Sequence, residues 1–401
     1  MKVVRREDNG TPVKVVLKSG KDASVHRYHH WIFSGAIKKI YGEPSDGDLV
    51  EVFDNKDKYL ATGHYQNGSI SVRILSFQRE RIDEQFYRNR IARALQWREL
   101  SGVTDGSTMY RLIHGEGDFL PGLIADLYGR VVVLQIHSAG MYRQRMVISN
   151  AIGDILGDSI DAIYDKSGST LPSAFSAGHE NRFLFGSSTP GEVTENGYRF
   201  LVNWIEGQKT GFFIDQRDNR RLAASFSGGK RVLNLFGYTG GFSVYTLSNA
   251  HSVDTVDSSA PATELAAKNI ELNYGDTDNR SSIITADAFD YLEQCKGRYD
   301  MIIVDPPAFA KHGSAVANAL QGYKKLNMKA IAAVSPGGLI MTFSCSQVVG
   351  RENFRRSVFV AAANVGRRVR IVSQLSQPPD HPVNLFHPES EYLKGYLLYV
   401  E

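Results

Sequence analysis

The sequence predicts an α/β protein: a parallel-sheet domain fills the C-terminal half, behind a small N-terminal barrel or sandwich and a central α+β segment. Three observations carry this. From Arg231 onward, near-continuous apolar segments ("RVLNLFGY", "SVDTVD", "SSIITAD", "DMIIVDPP", "GLIMTFS") alternate with helix-like stretches. Apolar strands separated by helices indicate a parallel sheet covered on both faces. By contrast, residues 1–77 hold short β-like pieces such as "TPVKVVLKSG", "DLVEVFDN", "YLATGHYQ" and "SISVRILSF", punctuated by Gly, Asn and Asp turns. Between the two lies "RERIDEQFYRNRIARALQWREL" (79–100), with Ile82, Phe86, Ile91 and Leu95 at helical spacing.

Each element then follows in chain order. After that helix, "YRLIHGEGDFLPGLIADLYGRVVVLQIH" reads as a three-strand meander turning at Gly-Asp and Tyr-Gly-Arg. The expected domains are 1–77, 78–190 and 191–401. The closing "GYLLYV" reads as an antiparallel strand added at an edge of the parallel sheet or within it.

Bulk composition is that of an ordinary globular chain of two or three domains: 401 residues, 42% hydrophobic, 22% charged. The charged start "MKVVRREDNG" shows no apolar signal core, and no apolar run is long enough for a bilayer. Two cysteines, Cys295 and Cys345, exclude a disulfide framework and a four-thiolate zinc site. The expectation is a cytoplasmic protein with reduced thiols, no membrane partner and no metal; a homodimer stays open. Net charge is only +3, yet residues 1–40 hold nine Lys/Arg against three Asp/Glu. Residues 351–370 hold Arg351, Arg355, Arg356, Arg367, Arg368 and Arg370 against Glu352 alone. Such patches fit either a polyanion or a solvated helix face.

The ligand is read from the strand ends. "NLFGYTGGFSVY" places Gly237, Gly240 and Gly241 in the turn after the first parallel strand, where a ligand can approach the backbone. It is neither a G-x-G-x-x-G fingerprint nor a P-loop. Asp257, Asp287 and Asp305 close the next three strands. One acid there is usually a helix cap; three in register with a glycine loop point to a nucleoside. Asp257 suits a ribose hydroxyl pair, and Asp287 or the following amide of Ala288 suits an adenine edge. With no pyrophosphate site, S-adenosylmethionine fits better than NAD.

"DPPAFA" followed by "FSCS", with "NLFGYTGGFSV" upstream, resembles the class I S-adenosylmethionine-dependent methyltransferases that carry a PUA domain and modify large-subunit ribosomal RNA. "YHHWIFSGAI", "GEGDFLPGLIADLYG", "GQKTGFFIDQRDNRR" and "DHPVNLFHPESEYLKGYL" extend the resemblance over nearly the whole chain. His30 stands where the family carries Pro, and Gly237 where it often carries Cys. The resemblance implies a Rossmann-like catalytic domain, an N-terminal PUA barrel, ribosomal RNA as partner and 5-methylcytosine as product. Within that frame Cys345 adds to cytosine C6, and Asp305 holds the N3/N4 edge. The implied donor site comprises Lys209, Phe213, Asp215, Gln216, Arg217, Asn234, Phe236, Gly237, Thr239, Gly240, Asp257, Ser258, Asp287, Ala288 and Asp305. Lys209 or Arg217 would pair its carboxylate, and Gln216 its amino group. Arg27, Trp31, Pro306, Phe309 and Lys311 would touch RNA, with Phe309 stacking on a flipped base; Phe33 is read as barrel core. Glu389 and Glu391 are the candidates for removing the C5 proton. Cys295 is read as a packing thiol. Uracil C5, a guanine nitrogen and a non-catalytic RNA-binding factor remain alternatives.

Overall fold

The computed structural model describes residues 2–4, 13–176, 178–277, 279–310 and 312–401. The contacts divide them into two units: 1–190 with 203–211 and 379–390, and 191–202 with 212–378 and 391–401.

The second unit is built on a seven-stranded sheet of β15 (Arg231–Leu235), β16 (Ser252–Asp257), β17 (Ser281–Thr285), β18 (Met301–Val304), β19 (Gly338–Ser344), β20 (Val369–Ser376) and β21 (Lys394–Val400). Their order is β17-β16-β15-β18-β19-β21-β20. The first five run parallel, and β21 lies antiparallel between β19 and β20. The closing strand is therefore interior, and the edge strand β20 is one the apolar runs did not mark. β18 and β19 are buried at every position, as a sheet covered on both faces requires. Strand order reverses at β15, between β16 and β18, which opens a crevice at the carboxyl ends. A hairpin of β13 (Gly191–Glu195) and β14 (Tyr198–Val202) completes this unit.

The first unit holds two sheets. β1 (Lys2–Val4), β2 (Val13–Leu17), β3 (Trp31–Phe33), β4 (Ile37–Tyr41), β5 (Leu49–Phe53), β6 (Tyr59–Tyr65) and β7 (Ile70–Ser76) pair in the order β1-β4-β2-β5-β6-β7-β3. Ile32 faces the core of this sheet, so period-two alternation turns Phe33 outward, where it is 48% exposed. That corrects the reading of Phe33 as core. The second sheet, β8 (Met109–His114), β9 (Leu123–Tyr128), β10 (Val131–Ile136), β11 (Ala162–Asp165) and β12 (Arg182–Gly186), contains the expected meander β8-β9-β10. The preceding helix spans Glu84–Leu100, beginning where the Asp83 carboxylate accepts from the Phe86 amide. Its buried face is Phe86, Tyr87, Ile91, Ala94 and Arg98. Arg98 is fully buried and makes a bidentate pair with Asp118 at 2.5 and 2.7 Å. No helix among the described residues is long and apolar enough to cross a membrane.

Candidate active site

Three loops leave the carboxyl ends of β15, β18 and β19, and the sequence fixes each differently. After β15 the backbone turns sharply through Phe236 (φ 56°), Tyr238 (φ 46°) and Gly240 (φ 80°). A side chain at Gly237 would meet Thr255 Cγ2 at 2.5 Å, so this position requires glycine. Beneath the loop, Asn234 Nδ2 donates to Ser243 Oγ at 2.9 Å, and Ser243 Oγ lies 2.7 Å from Thr255 Oγ1. Asn234 is thus a support under the loop, 1% exposed. The Thr239 carbonyl accepts from Asn269 at 2.9 Å, while its Oγ1 is buried without a hydrogen-bond partner.

The strand-end acids differ in their tasks. Asp257 Oδ2 accepts from the Tyr238 amide and Oδ1 from the Ser259 amide, both at 2.9 Å. These bonds fix the carboxylate beside the glycine loop and leave lone pairs for further donors. Neighbouring Ser258 is exposed. Asp287 is exposed and caps the helix Ala288–Glu293 by accepting from the Phe289 and Asp290 amides, while Ala288 is buried. A strained glycine loop, an orphaned hydroxyl and an oriented carboxylate fit the nucleoside end of S-adenosylmethionine.

Asp305 and Cys345 follow neighbouring parallel strands, whose register pairs Val304 with Thr342. The Cys345 thiol is part-buried, 3.8 Å from the Pro306 carbonyl. Ser346 Oγ donates to the Ala310 carbonyl at 2.6 Å and ties the two loops together. The small hydroxyl residues flanking the cysteine thus brace its turn. Sequence reasoning missed Lys394. Its Nζ is 3% exposed and donates to the carbonyls of Ser346 and Val349 at 2.7 and 2.6 Å. Burial pushes its pKa down to about 8, while the charges of Glu391 and Cys345 act to raise it. "YLKG" reads as strand entry, and nothing local marks a lysine buried beside a thiol.

Phe309 is half-buried. Its ring lies 4.6 Å from that of Tyr323, and a Cβ on Gly322 would meet it at 2.9 Å. Burial raises the Tyr323 hydroxyl to about 12. Pro306 is buried, and Lys311 lies outside the described residues. Cys295 is fully buried, its thiol bonded to the Tyr291 carbonyl, as a packing cysteine should be.

Upstream, Asp215 (4% exposed) accepts from Tyr392 Oη at 2.7 Å, and Gln216 (2%) accepts from Asn219 at 2.6 Å. Phe213 packs edge-on against Tyr238, ring centres 5.1 Å apart. Arg217 Nε lies 3.8 Å from Glu195 Oε2, and Arg220 makes a bidentate pair with the same carboxylate at 2.8 and 2.6 Å. This buried pair at the end of β13 was not anticipated, because its acid and base sit 25 residues apart on different elements. Lys209 is exposed and belongs to the first unit.

The basic residues differ in their surroundings. Arg351 pairs with Glu391 at 2.8 Å, and Arg370 with Glu401 at 2.6 Å. Arg367 closes helix and strand ends, donating to the carbonyls of Ile331 and Val334 at 2.5 and 2.7 Å. Arg355, Arg356 and Arg368 remain exposed. Trp31 is half-buried: its Nε1 donates to Glu116 at 2.8 Å, and its ring meets His387 at 4.4 Å. Arg27 is exposed. His29 Nε2 lies 3.1 Å from Glu389, and ligand atoms of His29, His387 and Glu389 all lie within 4.8 Å of one another.

The comparisons agree with this architecture. A family of S-adenosylmethionine-dependent methyltransferases matches residues 181–391, and a PUA-like domain matches residues 15–77. A protein named ribosomal RNA large subunit methyltransferase I from Klebsiella pneumoniae is 37% identical over 391 residues, covering 96% of this chain and 97% of the relative. Its namesake in Yersinia pseudotuberculosis is 36% identical over 392 residues, covering 96% and 98%. Among solved structures, SMU.776, a candidate methyltransferase complexed with SAH, superposes with a TM-score of 0.83 at 23% identity, covering 96% of this chain and 99% of that one. That likeness concerns the fold.

Proposed function

Because the chain belongs to the S-adenosylmethionine-dependent methyltransferase family, with S-adenosylmethionine as its cofactor, we propose that it methylates cytosine C5 in large-subunit ribosomal RNA. The observation that carries the reading is the meeting of two loops, with Cys345 Sγ 3.8 Å from the Pro306 carbonyl, next to Asp305. A carboxylate at such a loop can hold a base edge, and an adjacent thiol adds what an amino-group methyltransferase does not need.

In the proposed reaction the Cys345 thiolate forms a bond to C6, and Asp305 steadies the ring at N3/N4. Electron density displaced by that bond makes C5 nucleophilic. S-adenosylmethionine, when bound, supplies an electrophilic methyl group. Once C5 is alkylated, its proton passes to a base, the C6–Sγ bond breaks, and the aromatic ring and free thiolate return. Lys394, a cation beside the thiol's loop, favours the thiolate. The Gly237–Gly240 loop and Asp257 would hold the cofactor's nucleoside, and Phe213, Asp215, Gln216 and Arg217 would hold its methionine end. Residues 1–77 and 78–190 present the RNA, and 191–401 carry the chemistry.

Mass spectrometry of nucleosides from ribosomal RNA treated with the protein and cofactor tests this. The expected product is 5-methylcytidine; N4-methylcytidine, a methylated guanine or 5-methyluridine would overturn it.

A further inference from the structure

In the first unit a cavity of about 480 Å³ is lined by Tyr28, His30, Phe77, Arg90, Arg93 and Phe119, among others. Two of its aromatic walls have an unusual backbone. Tyr28 (φ 61°) and Phe119 (φ 60°) both lie in the left-handed region, and both are exposed, at 51% and 41%. Such a conformation is strained at a bulky residue, and such strain gathers at ligand sites. Here it holds two exposed rings on one cavity.

His30 lines the same space and is 1% exposed. Its Nδ1 lies 2.8 Å from the Ile74 carbonyl, which can only accept, so the ring proton is on Nδ1. Nε2 then carries the lone pair, buried and without a hydrogen-bond partner. Burial lowers this imidazole to about 4, so the acceptor persists at neutral pH. Its ring centre lies 5.3 Å from Phe77 and 5.7 Å from Phe119. The Arg90 guanidinium sits 5.5 Å over the Phe119 ring, and Arg93 adds a second cation. Glu80, a carboxylate in the same wall, accepts from Ser76 Oγ at 2.5 Å.

We propose that this cavity receives one unpaired nucleobase of the RNA, whose exocyclic amino group donates to His30 Nε2. The base stacks on Phe119 and Tyr28, and its phosphate meets Arg90 and Arg93. The inference rests on RNA being the substrate, and adds that the recognised base bears an amino group. Cytosine offers an amino donor at this acceptor; uracil has a carbonyl at that place, which His30 Nε2 repels, and could donate only by shifting to present its ring N3–H.

The test is binding of labelled short oligocytidylate and oligouridylate to the full chain, followed by fluorescence anisotropy. Oligocytidylate is expected to bind at least about 5-fold more tightly, the effect of one neutral hydrogen bond with its buried acceptor. His30→Phe keeps the ring but lacks the acceptor and should erase the preference. Phe119→Ala should weaken both oligonucleotides about 5- to 150-fold, the range for one stacked base. Urea unfolding followed by tryptophan fluorescence, unchanged in every variant, certifies folding of the first unit, where all three tryptophans lie. Equal affinity for the two oligonucleotides, or Phe119→Ala binding like the wild type, would overturn the proposal. Ribosomal RNA methylation by the wild type is a separate readout. If it proceeds while the preference is absent, only the cavity is wrong; if it fails while the preference holds, the catalytic reading is wrong.

Discussion

The two units place their functional groups by opposite means. In the second, the groups sit where parallel strands end, and main-chain hydrogen bonds hold them: Tyr238 and Ser259 amides on Asp257, the Ser346 and Val349 carbonyls on Lys394. In the first, rings stand out from strained backbone at Tyr28 and Phe119, around a buried imidazole. Parallel strands β15–β19 end on one edge of the sheet and so gather small polar groups there. The difference has an experimental handle. Trp31, Trp97 and Trp204, the three tryptophans of the chain, all lie in the first unit, so tryptophan fluorescence reports that unit alone.

The largest expected effect belongs to the second unit. Cys345→Ala should reduce methyl transfer at least about 10³-fold, measured with radiolabelled cofactor, while tryptophan fluorescence and cofactor affinity stay unchanged. Next comes acid, which should break the first unit selectively. Burial lowers His30 and His64 each to about 4, and they are 1% and 2% exposed. A depressed histidine pKa means the unfolded chain takes up a proton near pH 6.5 that the folded chain refuses until about 4. Stability is therefore full above the unfolded value and falls as pH drops through that window. Between pH 7 and pH 5 the two rings together should remove about 4 kcal/mol, read by urea unfolding monitored at tryptophan.

Smaller effects sharpen the contrast inside the second unit. Asp257→Ala should weaken S-adenosylmethionine binding about 10- to 100-fold by calorimetry, as loss of a charged hydrogen-bond acceptor implies. Lys394→Met should lower kcat/KM about 10-fold at neutral pH and move its rising limb to higher pH, the signature of a thiolate that has lost a cation. A merely structural role for the lysine would leave the profile's position unchanged. Asp287→Ala should cost about 1 kcal/mol of stability through the lost cap and change cofactor affinity least.

Legibility in the sequence followed the same division. Strand ends in the second unit announce themselves, because an apolar run stops at a Gly, an Asp or a Cys; the loop at 237–240 and the Asp305–Cys345 neighbourhood were readable on that ground. Side-chain destinations were not. Phe33 turns outward rather than into the core, since which way one ring points depends on strand register. The arginines of 351–370 fit two readings in the sequence, and the partners of Arg351, Arg367 and Arg370 lie too far along the chain to be read there. Edge strand β20 lacked an apolar run because it is only partly buried. The cavity around His30 was hidden for a related reason: its walls come from positions as far apart as Tyr28 and Phe386, and the acceptor is defined only by the carbonyl of Ile74.

The most direct test of the central claim is a covalent trap. RNA carrying 5-fluorocytidine at the target position presents a ring whose C5 substituent cannot leave as a proton, so the thiol stays bound at C6. Incubated with S-adenosylmethionine, the protein should form a denaturant-stable RNA adduct whose peptide maps to Cys345. Turnover of unmodified RNA without any such adduct, or an adduct at another residue, would contradict the account.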